Sequence, residues 1–487
     1  MQSDELVKLV KILQRQKCES QTIEVKTANI NCPERLYDSL SSFSNQNDGG
    51  IIIFGINEKE NFKITGVYDP QDLQHKVNEQ CKQMEPVVRA LFTVCEIDNK
   101  IIVSAEIPGV DISERPVYYR GRGRLKGSYV RVGESDELMT EYEIYSYDAF
   151  RKRTRDDLRI VENSNLNLFA QEELNKYLYL VKENKKNFSN FSDEEILELM
   201  GITRGSIPTL SGVMVFSKYP QAYFPQLSIT AVVVPGNEIG DTNENGARFI
   251  ANQRIEGTIP EMLKDAIDFV RRNSRVKTII NSAGERKDEG EYPIIAVREA
   301  VLNSLLHRDY SIYTENIPIR IYMYNDRMEI INSGGLYGRL SIDELGKIKP
   351  ETRNPTLANV LEVLKETENR YSGIPTIKKE MEKYKLPEPK FIVARGDFKV
   401  IFYNNLFKQE KNKLTIDDNL LNNNLSIEER VLEFCKIPRS REEITELVKF
   451  SRLYTMKKIV VPLLERKKLK MTIPDKPKSK NQKYVIN

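Results

Sequence analysis

The run Ile294–His307, IIAVREAVLNSLLH, constrains the fold more than any other stretch of the chain. Ile294, Val297, Val301 and Leu305 recur at helical spacing and make one apolar stripe, so this helix has to be buried along one side. On a neighbouring face Glu299, Asn303 and His307 follow one another at i, i+4 and i+8. A carboxylate and an amide one turn apart can orient a water and ligate Mg²⁺, a hard cation that prefers oxygen ligands. The same E-x-x-x-N face also occurs on helices with no chemistry, so the helix by itself leaves both readings open.

The segments downstream of the helix narrow the choice. Ile317–Tyr324 and Arg327–Ile331 predict a hairpin around Asn325-Asp326, which runs into Asn332-Ser-Gly334-Gly335-Leu336. Further on, Tyr371-Ser372-Gly373-Ile374 opens another helix, whose first backbone N–H groups can hold phosphate. A last strand, Phe398–Tyr403, closes a unit spanning 293–407. No G-x-x-x-x-G-K-[ST] occurs anywhere, and Gly121-Arg-Gly123-Arg-Leu-Lys-Gly127 has the wrong spacing for a phosphate loop, which argues against a P-loop helicase motor.

Helix, hairpin, glycine turn, glycine at a helix start and closing strand together resemble the GHKL ATPases, the superfamily of gyrase B, MutL and histidine-kinase ATP sites. The segments REAVLNSLLHRDY, MEIINSGGL, ETRNPTLANVL and PDKPKSKNQKY are more closely similar to the C-terminal ATPase-like domain of RecG-related ATP-binding proteins. The resemblance implies an α/β sandwich that takes ATP and Mg²⁺, with at most a weak Mg-dependent ATPase activity. Glu299 would activate water and Asn303 would hold Mg²⁺. His307, Asn332, Gly334, Gly335, Ser372 and Gly373 would surround the nucleotide, with Asn332 where the superfamily has an adenine-reading aspartate.

Residues 1–150 read as one α/β unit. An amphipathic helix carries Leu6, Leu9, Val10, Ile12 and Leu13, and β-type runs follow at Thr22–Lys26, Ile51–Ile56, Leu91–Ile97 and Ile101–Ile107. Glu24 and Lys26, two apart, share one face of a strand. They form either a surface ion pair or part of a phosphate-cleaving acid cluster with a charge-stabilising lysine. The pattern E-x-x-x-x-E-x-K, then S-F-S-N-x-x-x-G-G-I-I-I-F-G-I, then Lys126–Gly133, resembles the Schlafen AlbA-like domain, a nucleic-acid-binding module. In Schlafen-type endoribonucleases two glutamates and an aspartate hold the metal. The resemblance places Glu19 and Glu24 as those catalytic, metal-binding glutamates, Lys26 beside them, and the third acid near Asn57 or at Glu58.

Arg115, Arg120, Arg122, Arg124, Lys126 and Arg131 lie among Tyr118, Tyr119 and Tyr129. Arginine interleaved with tyrosine can pair phosphates and stack on bases, which suits DNA or RNA, single strands above all. A subunit contact is the other use of such a loop.

Residues 151–292 form a connecting α+β region to which no chemistry can be assigned. Helices are expected at Ala170–Lys182, Ser192–Met200 and Ile259–Arg272, core strands at Leu210–Phe216 and Tyr223–Val234, and a polar loop at 273–292. The Asn/Lys/Asp-rich stretch 408–424 reads as a linker. Residues 425–487 carry two capping boxes, Ser426/Glu429 and Ser440/Glu443, then a third helical run from near Ser451 and a Pro/Lys-rich hairpin ending in Lys483–Ile486. This order predicts a winged helix-turn-helix. Arg452, Lys457 and Lys458 would lie on or near its recognition helix, and Lys476, Lys478 and Lys480 on its wing, facing DNA. Residues 451–487 hold eleven Lys/Arg against two acids, although the whole chain of 487 residues is only at +3.

Five cysteines without a CxxC and two isolated histidines argue against a disulfide framework and an ordinary zinc site. No run is long and apolar enough for a membrane span and the first residues lack a signal-peptide layout, so a cytoplasmic protein without a membrane partner is expected. The function these readings converge on is an ATP-binding, nucleic-acid-binding protein, a DNA-binding transcription regulator or antiviral-defence factor. ATP would switch its conformation or its homo-oligomeric state, a homodimer or larger. The alternatives are a metal-dependent Schlafen-type RNase or tRNase with the GHKL-like domain as sensor, and a non-catalytic scaffold with a vestigial ATP site.

Overall fold

A computed structural model of the protein describes residues 1–280, 286–349, 351–367, 372–394, 396–405, 427–448, 454–474, 479 and 482–487. The chain divides into two compact units, Met1–Asn405 and Leu406–Asn487. It is a mixed α/β protein with several separate sheets.

The first sheet has four strands. Ile23–Lys26 runs parallel to Gly50–Phe54, which pairs antiparallel with Lys100–Ile107, and that strand pairs in turn with Leu91–Ile97. The opening helix Ser3–Gln16 covers one face through Leu6, Val10 and Leu13, and the helices Tyr37–Ser44 and Pro70–Lys82 cover the other through Leu40, Phe43, Leu73 and Val77. The expected strand Ile51–Ile56 is broken at Gly55, whose φ of +98° turns the chain away from the sheet. Gly49 is required where it stands, because a Cβ there would lie 2.1 Å from the carbonyl of Ile107.

One large core runs from Val161 to Phe402. Its six-stranded sheet places, in spatial order, Ala251–Ile255, Ile229–Val233, Ile319–Met323, Arg327–Ser333, Asp397–Tyr403 and Lys390–Ala394. Ile229–Val233 and Ile319–Met323 are parallel and every other pairing is antiparallel. The sheet therefore draws two strands from before residue 292, and the boundary expected there falls inside a continuous core. The helices Ile259–Asn273 and Ile294–His307 pack on it, the second burying Val297, Val301 and Leu305.

Two expectations fail here. Leu210–Phe216 is a helix rather than a strand, with all seven residues buried and Thr209 accepting the N–H of Gly212 as its cap. A run that is apolar on every side fits a buried helix as well as a buried strand, and the cap decides it. Within 273–292, Val276–Ile280 and Arg286–Gly290 pair as antiparallel strands instead of forming a loop.

In the second unit the helices Ile427–Phe434 and Arg441–Val448 and a helical run through Thr455–Glu465 surround Val431, Ile444, Val460 and Leu463. Lys483–Ile486 is the central strand between Arg439–Ser440 and Leu469–Met471. Ser440 and Glu443 make the expected capping box, while the linker 408–424 and Ser426 lie outside the described residues.

Candidate functional site

The helix Ile294–His307, the turn after Ser333 and the start of the helix Gly373–Lys383 enclose a cavity of about 470 Å³. Glu299, Asn303, His307, Asn332, Gly334, Gly335, Ser372 and Gly373 all line it, so every nucleotide-site residue expected from the sequence meets in one place. Tyr371 lies outside the described residues.

The polar face of the helix looks into the cavity because its apolar stripe is anchored in the core. A Cβ on Gly373 would stand 2.8 Å from Asn303 Nδ2 and 3.2 Å from Glu299 Oε2, so any larger residue there would push those two side chains aside. Gly334, at φ +105°, faces the backbone of Asp309, where a Cβ would come within 2.9 Å. Asn332 is buried and its Oδ1 has no hydrogen-bond partner among the described residues. Thr352 Oγ1, also on the cavity wall, is similarly unpartnered. An unpaired acceptor beside a cavity costs stability unless a ligand donates to it. Burial and the nearby Arg353 push the His307 imidazole down to about 4, so it presents a neutral ring near neutrality.

Sequence reasoning missed the residues that hold the glycine turn. Asp309 Oδ2 accepts from Tyr142 Oη at 2.8 Å and pairs with Arg353 Nη1 at 2.6 Å. Asp309 donates its N–H to Ser333 O at 2.9 Å, and Arg353 stacks over Tyr337, a cavity residue, at 5.2 Å. These partners lie up to 167 residues apart, so no local pattern marks them.

The N-terminal carboxylates form a different arrangement from the one expected. Arg131, expected to contact nucleic acid, has a side chain only 1% exposed. Its guanidinium lies 3.2 Å from Glu24, 3.0 Å from Asp136 and 3.7 Å from Glu19. Glu24 also pairs with Lys26, and Asp136 accepts from Ser39 Oγ at 2.9 Å and Ser42 Oγ at 2.5 Å. The third acid of the cluster is thus Asp136, while Glu58 is exposed. A cation already occupies the centre, and no group of three or more metal-ligating side chains free to hold a metal ion occurs among the described residues. In this arrangement Glu19 and Glu24 face the Arg131 guanidinium. Desolvation raises the Glu19 carboxyl to about 7, against the opposing pull of the Val25 N–H that it accepts.

The S-F-S-N motif is structural. Asn45 donates to the carbonyls of Val117 and Tyr129 and accepts from the Val117 N–H, and Ser41 Oγ bonds Val117 O and Tyr129 N. What it pins is the base of a face of exposed arginines and half-buried tyrosines. Tyr37 and Tyr119 stack at 4.6 Å, and the guanidiniums of Arg35 and Arg122 lie 5.2 and 5.0 Å from the Tyr37 ring. Arg120, Arg122 and Lys126 are exposed, whereas Arg124 pairs with Asp148 at 2.6 Å and Arg115 is buried on the carbonyl of Val110. In the second unit Lys457 and Lys458 are exposed on the helical run, and Arg452, Lys476, Lys478 and Lys480 lie outside the described residues.

With this geometry in place, the comparisons with known proteins are specific. Residues 19–140 match the family model "Schlafen, AlbA_2", and residues 317–402 match "Putative ATP-dependent DNA helicase recG C-terminal", a HATPase-like model. The chain thus carries a Schlafen AlbA_2 domain and a RecG-related HATPase-like domain, and the helix with Glu299 and Asn303 precedes the second match. Together they suggest a nucleic-acid-associated, ATP-binding protein. No curated protein matches the chain significantly. Among solved structures, the DIP2311 protein from Corynebacterium diphtheriae is 15% identical with a TM-score of 0.39, over 99% of this chain and 97% of its own. The N-terminal domain of a RecG-related protein from Nitrosomonas europaea is 23% identical with a TM-score of 0.23, over 28% of this chain and 94% of its own. No helix among the described residues is long and apolar enough to cross a membrane.

Proposed function

We propose that this chain is an ATP-binding, nucleic-acid-binding regulator or defence-type factor in which the nucleotide acts as a switch. The observation that carries the reading is the convergence of Glu299, Asn303, Asn332, Gly334 and Gly373, from three distant segments, on one cavity. The residues fit the group: Gly373 starts a helix beside Asn303 and Glu299, where backbone N–H groups can hold phosphate, and Asn332 Oδ1 offers a buried acceptor to a base N–H. Asn303 would share Mg²⁺ with the phosphates, and Glu299 would hold a water near them, while Mg²⁺ supplies charge neutralisation.

Nucleic acid would bind at the Tyr37/Tyr119 platform, with Arg35, Arg120, Arg122 and Lys126 on the phosphates. We read the C-terminal unit as a winged helix that adds a DNA contact through Lys457 and Lys458. A homodimer would give ATP a second state to select. The Arg131 cluster supports a binding role for the N-terminal domain over metal-dependent cleavage.

The test is thermal stability of the wild type and Asn303→Ala with and without Mg-ATP, read alongside molecular mass. A rise of several degrees in the wild type alone supports the reading. No shift in either protein makes the cavity vestigial.

A further inference from the structure

The helix Glu141–Arg151, the first element after the segment that matches the AlbA model, touches both candidate sites. Near its start, Tyr142 donates to Asp309, and its ring fills the space beside Gly396, where a Cβ would come within 2.5 Å. Gly396 O in turn accepts the N–H of Gly334 at 2.8 Å. Tyr142 therefore bears twice on the glycine turn of the cavity, once through Asp309 and once through Gly396. Two turns along the helix, Asp148 holds Arg124 of the Arg/Tyr loop at 2.6 Å. Near its end, Phe150 meets Tyr337 of the cavity wall edge-on at 5.4 Å. Just beyond Tyr337, Arg339 reaches back to Asp111 of the N-terminal domain at 2.9 and 3.2 Å.

We propose that this helix couples the two sites, with Tyr142 as the positioning residue of the glycine turn and the Arg124–Asp148 pair as its contact with nucleic acid. The Arg124 and Asp148 side chains are 31% and 23% exposed, so a nucleic-acid phosphate can compete with Asp148 for the guanidinium. Without Arg124, Asp148 is left to Arg151 on the same helix, which alters the helix that Tyr142 stands on. In the other direction, a nucleotide that reorders the Asn332–Gly335 turn acts on Asp309 and Arg353, and hence on Tyr142. Coupling of this kind is reciprocal: each ligand changes the other's affinity by the same factor.

This inference rests on the nucleotide reading of the cavity, and the experiment separates the two. Mg-ATP affinity of the full chain is measured by calorimetry with and without a saturating mixed-sequence 20-nucleotide single strand, for wild type, Tyr142→Phe and Asp148→Asn. In the wild type the oligonucleotide should change the Mg-ATP Kd by about fivefold or more. In both variants that factor should fall below about twofold, and in Asp148→Asn the Kd without oligonucleotide should stay within about threefold of wild type. Equal coupling in all three proteins overturns the proposal, as does wild-type binding of both ligands without coupling. Failure of the wild type to bind Mg-ATP at all overturns the cavity reading itself. Asp148→Asn alters a partly exposed pair, so the test survives if Tyr142→Phe does not fold.

Discussion

The Arg131 guanidinium stands 3.2 Å from the Glu24 carboxylate, with both side chains at 5% exposure or less. A cation buried among Glu19, Glu24 and Asp136 ties the strand Ile23–Lys26 to the hairpin of Tyr129–Val132 and Ser135–Leu138. Removing one partner of such a cluster leaves buried charge uncompensated. Arg131→Ala should therefore cost about 3–5 kcal/mol of stability, read by denaturant unfolding. A loss below about 1 kcal/mol would mean that the cluster is solvated rather than structural.

Glu19 gives the domain a pH signature. Its folded carboxyl titrates near 7 against an ordinary 4.5, so the folded state holds the proton more tightly. The resulting stability is fully present below about 4.5 and is lost as pH rises through 7. Glu19→Gln should remove that slope between about 4.5 and 7. Melting curves between pH 5 and 8 check it.

His307 has the opposite sign. Its folded imidazole titrates near 4, below the ordinary 6.5, so the stability it contributes is present above 6.5 and is lost as pH falls toward 4. The two groups oppose each other between about 4.5 and 6.5. His307→Gln should flatten the acid limb of the stability curve while Glu19→Gln steepens it, a contrast no general acid sensitivity would reproduce.

At the cavity, Gly373→Ala places a methyl group 2.8 Å from Asn303 Nδ2. Mg-ATP affinity should fall by roughly tenfold, about 1.4 kcal/mol, while the unliganded melting temperature moves little. Gly334→Ala differs, because its φ of +105° adds backbone strain of about 1–3 kcal/mol and so lowers the unliganded melting temperature too.

Asn332 tests base recognition. If its unpartnered Oδ1 accepts from the base, Asn332→Asp keeps an acceptor there and should retain ATP binding, whereas Asn332→Leu should weaken it by about tenfold or more. Titration with ATP reads both variants, and equal affinities would place the base elsewhere.

The elements around the cavity follow local rules, while the part that Asn332, Gly334 and Gly373 would play at it came from the resemblance to the GHKL ATPases. The face of Glu299, Asn303 and His307 follows from helical spacing, and Asn332, Gly334 and Gly373 sit beside strand ends and a helix start that periodicity locates. The N-terminal cluster was not legible, because whether Arg131 is exposed depends on Glu24, which is 107 residues away. An arginine amid glycines and tyrosines reads as surface until its carboxylates are found. Leu210–Phe216 misled for another reason: a segment buried on every side has no period to read. Tyr142 and Asp309 carry no local signal at all, since their relationship exists only once the sheet has formed.

The parallel pairing of Ile229–Val233 with Ile319–Met323 has a consequence for anyone who cuts this chain. A fragment beginning at residue 293 leaves the backbone of Ile319–Met323 as a bare edge, an invitation to stack with its own copies. On the ribosome the same pairing sets a timetable. The strand at 229 waits unpaired on that side for some ninety residues of synthesis, and the sheet cannot be completed until Tyr403 has emerged.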